Sequence, residues 1–133
     1  MKQRQFLLFI VMLISLASNA QKLSADKATL SDGLVVKTEA EGQTIHKWNK
    51  TSQTISWQTP IKAGRYEVNM RYSEPYKGCA VKVEISGREV VSLLRNTDKW
   101  GQYRTSSLGV ITIEKDGCYT LTLQGTQNSL RQP

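Results

Sequence analysis

Aromatic residues in otherwise polar stretches are the side chains of this sequence best suited to hold a ligand. Trp48, Tyr76 and Trp100 each lie in a polar connection. An exposed aromatic ring suits a ligand with a flat apolar face and hydroxyl groups along its edge, such as a sugar, because the C–H face packs on the ring while polar neighbours bind the edge. The same rings could instead cap the ends of the fold. The sequence favours neither the ligand-binding interpretation nor this structural one.

Groups that could act in catalysis are few. His46 is the single His of the chain, and a lone His in a polar loop is usually solvated rather than a base or a ligand. The sequence contains no motif of a metal site, a phosphate-binding loop or a nucleophile elbow. Glu74, Asp98 and Glu114 could be neighbours in the fold, but they form no paired motif. The sequence therefore predicts a protein that is not an enzyme and has no cofactor.

The two cysteines, Cys79 and Cys118, could form a disulfide if the chain is exported to an oxidising compartment. Strand phase argues against the bridge, because Cys79 is in phase with the apolar Val81 whereas Cys118 is out of phase with the apolar Leu121. Both cysteines lie at strand starts, where phase is least secure. A bridge and two free thiols both remain open.

A strand, turn and second strand at residues 57–72 form the unit around which the rest is organised. After Gly64, residues 66–72 alternate between apolar and polar, which is the period that places one face on a core and the other on water. Other short strands are expected at 28–37 (two, around a turn), 79–85, 90–94, 108–113 and 119–123, with 38–50 mostly loop. Since no amphipathic helical window is found, the pattern predicts an all-β fold, an antiparallel β-sandwich.

Residues 1–20 are predicted to be a signal peptide that is cleaved after Ala20. A short positive start is followed by an apolar run from Phe6 to Leu16, and small residues precede the cleavage point. The apolar run is too short to span a bilayer comfortably. We therefore expect a secreted or periplasmic protein that is not attached to a membrane, with residues 21–133 as a single domain.

The charge balance is mildly basic. The whole chain has a formal net charge of +7, and removal of the leader takes away two cations and no acid, which leaves 16 Lys and Arg against 11 Asp and Glu, or +5. The cations are scattered through the strands without a dense block, so a nucleic-acid partner is not expected. A mild positive excess suits an anionic partner.

Two segments carry a resemblance to a known family. The stretch from Ile55 to Val68 combines an aromatic strand with an Ala-Gly-x-Tyr hairpin, and Asn96 to Thr105 is similar to a Thr-Gly-Gly-Trp-x-x-Trp-x-Thr loop. With the opening Ala-Asp-Lys-Ala at 25–28, they make the chain resemble galactose-binding-like β-sandwich carbohydrate-binding modules over roughly Ala25 to Leu123. The likeness is to the family-6 type and to accessory domains of bacterial fucosidases and sulfatases, and it implies a jelly-roll topology.

The resemblance also implies a site. In such modules two loop aromatics sandwich a sugar, and the matching residues here are Trp48 and Trp100, with Tyr103 in a structural place. Asp98-Lys99 stands where the family has Gly-Gly, so the Trp100 ring could be aimed differently. No metal is predicted, because Asp26 replaces a Glu that helps to hold calcium in the family and the family's C-terminal Asp has no match.

We therefore predict a secreted, non-catalytic protein that binds an oligo- or polysaccharide, with a slight preference for uronic-acid-containing or sulfated glycans. The alternative is an accessory module that docks on a glycan-degrading enzyme, such as a glycoside hydrolase or a sulfatase, and whose sugar site has decayed. A shortened last strand would leave a sheet edge exposed or make the protein dependent on a partner. The expected sugar-binding residues are Trp48, Trp100, Tyr76, Asn49, Lys99 and Asn128.

Overall fold

Strands make up nearly all of the regular structure. The computed structural model describes residues 6–15, 20–31, 33–39, 42–48, 52–74 and 80–126, and within these ranges the only helical element is a 3-10 turn at Ala25–Lys27. No helix in these ranges is long and apolar enough to cross a membrane. The strands are β1 (Phe6–Ser15), β2 (Ala20–Ser24), β3 (Thr29–Leu30), β4 (Val35–Glu39), β5 (Gly42–Trp48), β6 (Thr54–Ile61), β7 (Gly64–Ser73), β8 (Ala80–Ile85), β9 (Arg88–Leu93), β10 (Arg104–Ile113) and β11 (Gly117–Gly125).

Two sheets pack face to face. The six-stranded sheet has the order β10-β7-β1-β5-β4, with β2 paired to β1, and the five-stranded sheet has the order β3-β6-β11-β8-β9. The described pairings are antiparallel. The predicted antiparallel β-sandwich is therefore confirmed. Its core lies between the sheets and includes Ile45, Ile55, Trp57, Met70, Val83, Leu121 and Leu123, each 3% exposed or less.

The turn between β6 and β7 crosses from one sheet to the other, so these two consecutive strands do not pair as a hairpin. Tyr66, Val68, Met70 and Tyr72 are all buried, while the three residues between them are half-buried. In β6 the indole N–H of Trp57 donates to the carbonyl oxygen of Ser24 at 2.8 Å. A large aromatic with its one polar atom satisfied is suited to the centre of a core. The prediction for residues 57–72 is confirmed.

The prediction that residues 38–50 are mostly loop is wrong. β5 runs through Gly42–Trp48 and pairs with β4 and with β1. His46, predicted to be a solvated loop residue, is half-buried in this strand, and its Nε2 lies 2.8 Å from Oγ1 of Thr44. Thr44 and Ile45 are both fully buried although they face opposite sides of the sheet, because β5 is covered on both faces.

β1 consists of residues that the sequence analysis assigns to the leader. It pairs with β7 from Leu7 to Ser15 and with β2 from Ile10 to Ile14. Cleavage after Ala20 stays a prediction, and the position of β1 inside the sheet is the basis of an inference made below.

The register argues against a bridge between Cys79 and Cys118. Cys118 is an exposed free cysteine at the start of β11. Cys79 lies outside the described residues, but its neighbour Ala80 accepts a hydrogen bond from the amide of Thr126, just after the other end of β11. Seven residues of strand separate Cys118 from Gly125, or about 23 Å, whereas a disulfide requires the two Cα atoms to lie within about 7 Å.

Candidate functional site

Strand register brings the backbones of Trp48 and Trp100 to the same end of the sandwich, which we name the tryptophan end. Trp48 is the last residue of β5 and pairs with Phe6 of β1, whose next residue pairs with Ser73 at the end of β7. Ser73 is in turn bound to the loop that carries Trp100, since the amide of Gly101 donates to its Oγ at 3.0 Å. β1 alone separates β5 from β7, so these two strands lie about 10 Å apart.

The Trp100 loop, residues 94–103, is tied to the end of β7 by buried polar contacts. The amide of Thr97 donates to the carbonyl oxygen of Glu74 at 2.7 Å, and the amide of Glu74 donates to Oγ1 of Thr97 at 3.1 Å. The hydroxyl of Ser73 donates to the carbonyl oxygen of Lys99 at 3.4 Å, and the hydroxyl of Tyr72 donates to that of Arg95. Ser73, Glu74 and Thr97 are each buried to 96% or more. The loop is therefore held in place before any ligand arrives.

Beyond these contacts, residues 98–102 of the loop are exposed to solvent. The amide of Gln102 donates to the carbonyl oxygen of Lys99 at 3.2 Å, and Gly101 has φ +88°, a conformation that favours glycine. Trp100 is 40% exposed, and Asp98 and Lys99 are also exposed. The two residues that replace the family's Gly-Gly are thus accommodated on the surface, and Gly101 supplies the turn.

The structure describes only some of the predicted site residues. Lys99 and Trp100 are exposed neighbours at the tryptophan end. For Trp48 the structure describes the backbone, which ends β5 at the same place. The remaining three predicted residues, Asn49, Tyr76 and Asn128, lie outside the described residues.

Comparison with known families agrees with this arrangement. The family model described as carbohydrate binding module (family 35) matches residues 31–129, about three quarters of the chain. The chain belongs to carbohydrate binding module family 35. The general expectation of a carbohydrate-binding β-sandwich is confirmed, while the expected family-6 type and the likeness to fucosidase and sulfatase accessory domains are not.

Solved structures of the family share the fold of the family 35 module. A "Family 35 carbohydrate binding module from Clostridium thermocellum" is 17% identical with a TM-score of 0.63, over 75% of this chain and 81% of that one. A "Native structure of a family 35 carbohydrate binding module from Clostridium thermocellum" is 12% identical with a TM-score of 0.64, over 90% and 89%. No curated protein matches the chain.

The sequence named Glu74 only as a possible neighbour of Asp98 and Glu114, and not as part of a sugar site. The side chain of Glu74 is fully buried at the base of the Trp100 loop. The carbonyl oxygen of Glu74 accepts from the amide of Thr97, the residue before Asp98, so Glu74 and Asp98 do lie near each other. Glu114 does not join them, because it follows β10 at the other end of the sandwich and pairs with Arg88 at 3.1 Å. The only available signal was the position of Glu74 directly after an alternating strand, which placed it at a strand end.

Metal binding finds no support among the described residues. In those ranges no three side chains of His, Cys, Asp or Glu lie close enough together to hold an ion. Asp26, which the resemblance to the family-6 type placed at the position of a calcium-binding Glu, is exposed on the 3-10 turn. The absence of a metal stays a prediction.

A cavity of about 550 Å³ lies at the opposite end of the sandwich, between the β6–β7 turn and the β10–β11 turn. Three of its polar side chains are already bonded within the protein: Oδ1 of Asp116 accepts from the amide of Ala63 at 2.8 Å, the hydroxyl of Tyr66 donates to the carbonyl oxygen of Lys62 at 2.7 Å, and the side-chain amide of Gln21 donates to Oγ1 of Thr59 at 2.6 Å. A ligand site needs polar groups that converge on open space. The tryptophan end is therefore the candidate ligand site.

Replacing Thr97 with Val is expected to loosen the Trp100 loop. The change keeps the shape of the side chain but removes the hydroxyl that accepts from the buried Glu74 amide and donates to the Lys99 carbonyl oxygen. We expect a loss of about 1–3 kcal/mol in the free energy of unfolding, measured by urea denaturation, and faster hydrogen exchange at Gly101. Thr105→Val, at an exposed position of β10, is the control; equal effects of the two variants would contradict the anchoring role.

Proposed function

We propose that the family 35 module is a secreted, non-catalytic protein that holds a glycan between Trp48 and Trp100. The observation that carries the proposal is the exposed indole of Trp100, on a loop anchored to β7 about two strand spacings from the end of β5. A sugar ring with an indole on each face needs about 3.5–4 Å on either side. A backbone separation of about 10 Å is compatible with such a clamp.

Preorganisation supports the same proposal. Ordering a loop on binding costs free energy that is subtracted from the affinity. Here Thr97 and Ser73 already fix the loop through contacts to the end of β7. Lys99 would bind the polar edge of the sugar, as would Asn49, Tyr76 and Asn128, which we retain as proposed contacts.

The charge around Trp100 favours an acidic glycan. Between residues 95 and 104 the exposed side chains include three cations, Arg95, Lys99 and Arg104, and one carboxylate, Asp98. Uronic-acid-containing or sulfated glycans would be drawn to such a surface. A neutral glycan would rely on stacking alone.

Affinity electrophoresis in gels cast with neutral and with acidic polysaccharides tests the proposal directly. We expect retardation by at least one acidic polysaccharide, and weaker retardation as salt is raised, because exposed charges are screened. A module that migrates freely through every gel, and binds no oligosaccharide in solution, would contradict glycan binding.

Lys99→Gln separates the charge contribution from stacking. We expect the affinity for an acidic glycan to fall about 2–5-fold at low salt, which is the range of an exposed ion pair, with no change for a neutral glycan. Lys62→Gln, at another exposed lysine at the opposite end of the sandwich, is the matched control. If both variants weaken binding alike, the effect belongs to net charge and not to the tryptophan end.

Docking on a glycan-degrading enzyme is the second candidate function. β9 is an edge strand, and its Val91 and Leu93 are 60% and 76% exposed. Exposed apolar residues on an unpaired edge suit contact with another protein. Co-purification from a native extract distinguishes the candidates, since a stable glycoside hydrolase or sulfatase partner without glycan retention would favour docking.

A further inference from the structure

β1 is an inner strand of the six-stranded sheet. Along one edge it pairs with β7 from Leu7 to Ser15, and along the other it pairs first with β5, through Phe6 and Leu8, and then with β2. Both edges of the strand are therefore engaged. The residues of β7 and β5 that it meets include Met70, Tyr72 and Ile45, each of them fully buried.

The same ten residues form the apolar part of the predicted leader. If the chain is processed after Ala20, the sheet loses an inner strand. β7 and β5 are then left with unpaired edges that face each other across a gap one strand wide, and β2 loses the strand with which it is paired. Backbone groups that lose their partners and apolar side chains that lose their cover both oppose an empty gap.

The register defines what can fill this gap. The occupant must be extended and antiparallel to β7, and its alternate residues must face the buried row. The positions of β1 opposite buried aliphatic or aromatic residues of β7 are 8, 11, 13 and 15, which pair with Tyr72, Met70, Val68 and Tyr66, with a register shift between residues 8 and 10. A suitable strand therefore offers apolar side chains at every second residue, since directly paired residues of an antiparallel sheet lie on the same face.

The chain's own segment 127–133 does not have this pattern. Among its seven residues, Gln-Asn-Ser-Leu-Arg-Gln-Pro, Leu130 is the single apolar aliphatic side chain, and Pro133 cannot donate to a ladder. We infer that in the processed module the position between β5 and β7 accepts an extended strand of about eight residues, apolar at alternate positions, that residues 21–133 do not themselves supply. Strand addition of this kind is a general mode of peptide recognition.

The test starts from the full chain with a protease site inserted in the connection 16–19. After cleavage and removal of the leader in mild urea, residues 21–133 are mixed with lysine-flanked peptides that carry the sequence of residues 6–15. The core-row peptide has Leu8→Asp, Val11→Asp and Leu13→Asp. The outer-row peptide has the same three charges at Ile10→Asp, Met12→Asp and Ile14→Asp, which pair with Arg71, Asn69 and Glu67.

We expect the unchanged and outer-row peptides to bind one to one and to slow hydrogen exchange of the β7 amides, while the core-row peptide binds at least about 100-fold more weakly, because it would bury three charges. If the processed chain does not refold alone, its refolding yield with each peptide gives the same comparison. Slow exchange in a monomeric 21–133 without peptide, equal binding of the two variants, or a secreted protein that retains residues 6–15 by mass spectrometry would overturn the inference. None of these outcomes depends on glycan binding.

Discussion

Trp57→Ala is expected to lower the free energy of unfolding by about 3–5 kcal/mol, the range found for large aromatic side chains removed from a core. Trp57 is 3% exposed and lies in β6 among the buried residues of both sheets, and its indole N–H bonds the carbonyl oxygen of Ser24. A small domain has only about 5–15 kcal/mol in total. Urea denaturation followed by circular dichroism measures the change.

Trp57→Phe is the matched control for that loss. The phenyl ring keeps most of the packing, so the expected cost is about 1–2 kcal/mol, mainly from the hydrogen bond to Ser24. If Trp57→Ala cost no more than Trp57→Phe, the indole would not be a central part of the core. Glycan binding by folded Trp57→Phe should remain unchanged, because Trp57 is not at the surface.

Trp100→Ala is expected to weaken glycan binding strongly and to leave the free energy of unfolding nearly unchanged, the reverse of what is expected at Trp57. Removal of a ring that stacks on the ligand should cost at least about 2 kcal/mol of binding free energy, or roughly a 30-fold loss of affinity. The free energy of unfolding should change by no more than about 0.5 kcal/mol, as for other surface substitutions, because Trp100 is 40% exposed. Isothermal titration with the best polysaccharide fragment and urea denaturation give the two quantities.

Two further variants make the Trp100 result specific. Trp100→Phe keeps a flat ring and should retain most of the affinity. Leu93→Ser removes an exposed apolar side chain on β9, in the other sheet, and should leave glycan binding unchanged. Equal binding by wild type and Trp100→Ala would contradict the proposed stacking.

The central pair of consecutive strands, β6 and β7, was predictable because its pattern is local. In β7 the alternation of apolar and polar residues continues without a break, and all four apolar positions from Tyr66 to Tyr72 are buried as expected. The same reasoning located β8, β9, β10 and β11 to within a few residues. Short strands that bury one face leave this period in the sequence.

β5 was not predictable from its pattern. Within Gly42–Trp48, Ile45 is the single aliphatic residue in the core cluster, and its neighbour Thr44 is buried although polar. Thr44 is tolerated there because its hydroxyl lies 2.8 Å from a ring nitrogen of His46. Burial on both faces removes the alternation on which strand prediction depends.

The apolar run at the N-terminus has two readings that sequence alone does not separate. A continuous run of about ten apolar residues with a positive start is typical of a leader, and a run of this length is also consistent with a strand inside a sheet. In the structure residues 6–15 form an inner strand. The two interpretations are reconciled if export removes this strand and another extended segment takes its place.

The aromatic residues of the candidate site could be predicted from the sequence, but the hydrogen bonds that hold the Trp100 loop in place could not. The indole of Trp100 was expected in a loop from the polar residues around it, and it is exposed. The contacts that hold this loop join Ser73 and Glu74 to residues more than twenty positions away. Contacts between residues so far apart in sequence arise from the packing of the two sheets, and no local pattern encodes them.

The most direct measurement of the central claim is a proton–nitrogen correlation spectrum of the module during a glycan titration. The chain has three tryptophans, Trp48, Trp57 and Trp100, and therefore three indole N–H signals. The account predicts that the signals of Trp48 and Trp100 shift together with one dissociation constant, while that of Trp57, buried and bonded to Ser24, stays in place. Saturable glycan binding that leaves the Trp48 and Trp100 signals unmoved would contradict it.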